Sequence, residues 1–185
     1  MRAHVWAKGY SGSGGIWSGT DYIGTVIRGK KRASADGQYA AGAGGARWAP
    51  DTGSDYFSRL DEDQGDSDTS KITNSTDPGG SPAAADRASI EYEDLPAGVI
   101  ELKAAQRTVL GRKTSGTSAT IRLGYSERGS SGDTNVVMNG GTLNLSSAWT
   151  YMIDPLPLDP RDAGVLDVAA LETIDGVIQM EAIVA

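Results

Sequence analysis

The chain has 185 residues and a mass of 19.2 kDa, with no Cys, a single His and a formal net charge of -7. That length is enough for one domain with a core of its own, without disulfide or metal staples. The absent thiols exclude disulfide frameworks, thiolate nucleophiles, iron–sulfur clusters and cysteine-bound zinc, and His4 alone cannot build a histidine metal cluster.

No stretch approaches the ~20 apolar residues of a membrane helix, and residues 1–15 lack the apolar run of a signal peptide. The expectation is a soluble protein made in the cytoplasm, without a membrane partner. Charge is uneven. Residues 1–50 hold seven basic against two acidic residues, net +5, and the remainder holds ten basic against twenty-two acidic, net -12. Such polarity predicts that the two parts face different partners.

Residues 1–50 are rich in glycine, with clusters at 9–15 and 42–45. Between them Tyr22-Ile23-Gly24-Thr25-Val26-Ile27 has strand character and ends in the basic patch Arg28, Lys30, Lys31 and Arg32. This predicts an extended arm with one strand. Trp6, Tyr10, Trp17 and Tyr22 stand among small residues with few neighbours to form a core, so with the basic patch they are the candidate partner-binding residues.

Residues 51–86 form an acidic stretch rich in Ser, Thr, Asp, Gly and Pro, with Tyr56-Phe57 and Lys71-Ile72 as its apolar footholds. It reads as a loop with a short strand at 70–74. Loops this long are uncommon inside a domain, and ordering by function or by a partner is expected. Asp61, Asp63, Asp66 and Asp68 place hard oxygen ligands close together and are candidate ligands of a structural calcium ion, although the EF-hand order is broken at Gly65 and Asp66.

Strand patterning then takes over. Ala88, Ile90 and Tyr92 alternate with Arg87, Ser89 and Glu91. Ile100, Leu102 and Ala104 alternate with Glu101, Lys103 and Ala105, and Val109 and Leu110 continue the run. Strands are also predicted at 120–125, 136–138, 143–145, 149–153 and 176–184, with a hairpin tip at 129–132. Trp149 and Tyr151, two apart, are expected to pack the core; on an exposed face they would form a sugar-stacking platform. Pro155, Pro157 and Pro160 forbid a central strand, and Val165, Leu166, Ala169 and Leu171 fit a short helix. The predicted fold is all-β: a jelly-roll-like antiparallel sandwich at 51–185, preceded by the arm at 1–50 and carrying one short C-terminal helix.

Catalytic motifs fail on inspection. The spacing Gly24, Gly29, Lys30 matches a phosphate loop, but Lys31 replaces its hydroxyl residue and no helix follows. Gly9-Tyr10-Ser11-Gly12-Ser13 lacks the last glycine of a nucleophile elbow and the strand before it. The expectation is a protein that is not an enzyme and needs no cofactor beyond the calcium ion considered above. Overall acidity disfavours nucleic acid as the partner of the basic patch.

The string DLPAGVIELKAAQ at 94–106, Arg112-Lys113, RLGYSERGSSG at 122–132 and WTYMIDP at 149–155 together resemble a poorly characterised group of tailed-bacteriophage virion proteins. In that group an acidic loop, here Gly65-Asp66-Ser67-Asp68, precedes the first of these motifs, and a short helix and final strand, here 171–177, follow the last. The resemblance covers about residues 55–185. The glycine-rich basic arm and a final helix without tryptophan depart from it. It implies a non-enzymatic jelly-roll subunit in the virion, present in many copies as a homo-oligomer on the head as decoration or cement, or on the neck or tail. Its partners would be other capsid, neck or tail subunits, and a carbohydrate-binding module that recognises a surface glycan is the alternative.

Overall fold

A computed structural model of the chain describes residues 2–9, 25–31, 33–40, 45–60, 70–95, 99–114, 118–129 and 136–184. Strands in chain order are β1 (Arg2–Gly9), β2 (Thr25–Lys31), β3 (Ala33–Asp36), β4 (Ala49–Pro50), β5 (Ile72–Thr73) and β6 (Arg87–Tyr92). They continue with β7 (Val99–Gly111), β8 (Ser118–Glu127), β9 (Val136–Val137), β10 (Thr142–Leu145), β11 (Thr150–Leu156) and β12 (Ile174–Val184). One short helix, α1 (Val168–Glu172), precedes the last strand.

The fold is an all-β sandwich. One sheet has the order β11-β7-β1-β2 and the other β10-β8-β12-β6-β3, with β9 also on β8 and every pairing antiparallel. The layers meet through alternate residues. Val109 and Met152 of the first sheet pack on Ile90, Ile121, Leu123, Ile178 and Met180 of the second. At the other end Ala105 and Leu156 meet Tyr125 and Ile174, and Leu166, Ala170 and Leu171 around α1 plug the opening. Asp167 starts α1 by accepting a hydrogen bond from Ala170 N at 2.7 Å, so the helix begins later than Val165, which is 84% exposed.

Three expectations are corrected. Residues 1–50 are not an arm with one strand: β1 lies between β7 and β2, and β3 extends the second sheet along β6. The strand pairings therefore cross the expected boundary at residue 50. The physical reason is legible in β1 itself, where Arg2, His4, Trp6 and Lys8 alternate with Ala3, Val5 and Ala7 in the period of a strand.

The acidic stretch is not a bare loop where it is described: hydrogen bonds tie it into the fold. Asp36 Oδ1 accepts hydrogen bonds from Tyr56 N and Phe57 N at 2.6 and 2.9 Å, and Tyr56 OH donates to Trp48 O at 2.9 Å. Trp48 in turn donates to Asp86 O, and fully buried Asp86 pairs with Arg47 at 2.7 Å. Burial first, then the Asp36 charge, pushes the Tyr56 phenol up to about 12.

The third correction concerns β7. Its inward row is Ala105, Arg107 and Val109, not the continuation of Ile100, Leu102 and Ala104; Ala104 is exposed. The register shift against β1 between Trp6 and Ala7, where Lys103 is the extra residue, reverses the parity from Ala105 onward; the shift between Lys8 and Gly9 reverses it once more at the start of the strand. Arg107 is therefore driven into the middle of the sandwich, where it is 1% exposed.

Its guanidinium is met there. Nη1 donates to the main-chain oxygens of Gly124 and Val177 in the opposite sheet, and Nη2 reaches Asp154 Oδ2 of β11 at 2.8 Å. Tyr125 OH donates to the same carboxylate oxygen at 3.0 Å, its ring lies 4.2 Å from the guanidinium carbon, and Gly141 N donates to Asp154 Oδ1. A side chain at Gly140 would stand 2.6 Å from Leu123 O and 2.9 Å from Arg107 Nη2, so only glycine lets the backbone close over the pair. Burial pushes the Tyr125 phenol far above its usual range, with Arg107 opposing and Asp154 adding to the shift.

Removing one partner of such a pair strands a charge in the core. Asp154→Ala is expected to cost about 3–5 kcal/mol, read from urea unfolding, whereas Arg107→Met with Asp154→Leu recovers most of the loss. Single-variant stability within about 1 kcal/mol of the parent would show that the pair holds nothing together.

Candidate functional site

Among the residues whose burial is described, the exposed large apolar groups of the sandwich strands lie on the outer side of the first sheet, in β11. Along β11 the buried residues alternate, with Asp154 and Leu156 inward, and that parity turns Tyr151 and Ile153 outward at 60% and 59% exposure. Tyr151 lies opposite Leu110, and Ile153 opposite Thr108. Just before β11, Trp149 is half-buried with the Arg112 guanidinium over its ring at 5.0 Å. The expectation that Trp149 and Tyr151 pack the core is overturned: Met152, Asp154 and Leu156 take the inward positions.

This strip can act by contact. Aromatic and branched faces with a guanidinium at one end suit a protein surface or the apolar face of a sugar ring. Asp154 holds the strip still from behind, because it ties β11 to β7 through Arg107 and to the loop before β10 through Gly141.

A second polar cluster lies on the far side of the other sheet. Asp175, 1% exposed, accepts from Arg128 Nε at 3.3 Å; Glu91 is 3.9 Å from the same nitrogen, and Asp94 is 3.2 Å from Nη1. Arg128 Nη2 also donates to Tyr92 O. The backbone of Gly37 covers this site: a side chain there would stand 2.6 Å from Ser89 Oγ and 3.0 Å from Asp175 Oδ2. Burial raises the Asp175 carboxyl to about 6 despite Arg128, with Glu91 adding to the shift.

The residues expected to bind a partner are only partly placed. Trp6 lies in β1 opposite Arg28 of β2 and Ala104 of β7; Lys30 pairs with His4, and Lys31 with Ala3. Tyr10, Trp17, Tyr22 and Arg32 lie outside the described residues, as do the candidate calcium ligands Asp61, Asp63, Asp66 and Asp68. Among the described residues no group of three or more His, Asp or Glu side chains could hold a metal ion, and no helix is long and apolar enough to cross a membrane.

Sequence reasoning missed Ile153 and Arg112 as surface groups and Asp175 as a buried acid. A signal for the first existed: residues 146–153 contain no charge, and Pro155 marks the strand as an edge. No family model, curated protein or solved structure matches the chain.

Because the folded-state carboxyl of Asp175 stands above its ordinary 3.8, its stabilising contribution is full below that value and is lost as pH rises through about 6. Asp175→Asn is expected to flatten that pH dependence and to be more stable than the parent at neutral pH by on the order of 2 kcal/mol. Thermal melts between pH 4 and 8 check this, and parallel profiles for the two chains would contradict it.

Proposed function

We propose that the chain is a non-enzymatic structural subunit of a tailed-phage virion, attached to the particle surface as head decoration or cement, or as a neck or tail accessory protein. The observation that carries this is the exposed strip of Tyr151 and Ile153 on a sheet braced from within by Arg107 and Asp154. A rigid sandwich with an apolar outer strip is built to be held against another surface. The motif resemblance over residues 55–185 supports the virion as the place where that surface is found.

The +5 balance of residues 1–50 favours an acidic neighbouring subunit as a further contact. Trp6, Arg28 and Lys30 belong to strands of the first sheet, so on this reading the contact is made by the sheet rather than by a free arm.

Mass spectrometry of purified particles tests the proposal. The chain is expected in the particle, at on the order of hundreds of copies for head decoration or about a dozen or fewer for a neck or tail position. Its absence from washed particles would overturn it.

A second reading, a carbohydrate-binding module, is favoured by the exposure of Tyr151 next to Trp149. On that reading a glycan array gives binding that Trp149→Ala abolishes with an unchanged melting temperature. A blank array leaves the strip to protein contact.

A further inference from the structure

We infer that β11 is a self-association edge, pairing antiparallel with β11 of a second copy of the chain. Among the described residues β11 is hydrogen-bonded on one side only, to β7, and stands last in its sheet. An edge strand presents a row of N–H and C=O groups that a further strand can satisfy, and proteins that remain single guard such edges with charge, proline, bulges or brevity.

The other edges carry those guards. β2 contains Arg28, Lys30 and Lys31; β3 has four residues and a register shift between Ala33 and Ala35; β10 has four residues. In β11, residues 150–153 contain neither charge nor proline, and the register with β7 runs unbroken from Thr150 to Leu156. Pro155, which has no N–H to donate, limits the pairing at its far end.

Symmetry selects a second copy as the occupant. Residues 146–153 carry no charge, so two chains of net charge -7 set no like charges opposite each other along this strip. With a twofold axis through Met152, Tyr151 of one copy lies opposite Ile153 of the other, so the two exposed apolar groups cover each other twice. The first sheet then runs continuously through both copies. This does not depend on the virion reading, because self-pairing is measured on the purified chain and incorporation on particles.

The test is size-exclusion chromatography with light scattering on the full chain. The expected mass is twice 19.2 kDa, falling to a single chain in both Tyr151→Lys and Ile153→Lys, with unchanged far-ultraviolet circular dichroism and melting. The chain has no native Cys, so an equimolar mixture of Tyr151→Cys and Ile153→Cys chains is expected to form a disulfide-linked pair on mild oxidation. Val165→Cys, 84% exposed and outside β11, is the control that does not cross-link. A single-chain mass for the parent overturns the inference, as does a dimer that persists in both lysine variants. Cross-linking in the mixture no greater than in the control overturns it too, and so would a monomer that binds glycans through Tyr151.

Discussion

The ion pair between Arg107 and Asp154 is the constraint on which the sandwich turns. Arg107 comes from β7 and is answered by main-chain oxygens of β8 and β12, while Asp154 comes from β11 and is answered by Tyr125 of β8 and Gly141. The contacts with Gly124, Val177 and Tyr125 cross from one sheet to the other. Apolar packing at both ends of the core would hold many relative placements of two sheets, but a buried guanidinium accepts few. Its net stabilisation is small beside an apolar alternative of the same volume, so its contribution here is to fix which residues face each other.

Much of the second sheet was legible in the sequence. The alternation of Ala88, Ile90 and Tyr92 became β6, and the patterns near 120–125 and 176–184 became β8 and β12; these are the three central strands of the sheet, and β12 is buried on both faces from Ile174 to Met180. Where regular alternation stopped, reading by period failed. The register shift beside Lys103 reversed the inward face of β7 from Ala105 onward, so a basic residue entered the core where an apolar one was expected. β1 had the right period, but the glycines that follow it made the whole region look unstructured. Tyr151 went to the wrong side because an aromatic pair is read as core on habit, whereas its neighbours Met152, Asp154 and Leu156 carried the inward parity.

The candidate surface was less legible than the fold, for a physical reason. Exposure of Tyr151 and Ile153 follows from β11 being an edge and from the parity set by Asp154, and both depend on a partner 47 residues earlier in the chain. The calcium reading and three of the four aromatic positions in residues 1–32 rest on segments outside the described residues. What stands is a sheet whose outer side is apolar at one edge, while its opposite edge belongs to a segment of positive balance, in a chain otherwise rich in acids.

The position of β1 sets the timetable of folding. It is translated well before β7, yet β7 is one of its two neighbours, so on the ribosome it has only β2 to pair with until about a hundred further residues have emerged. The nascent hairpin must wait with one side open, and closure of the sheet is a late, long-range event of the kind that makes β-proteins slow to mature and dependent on chaperones at high expression.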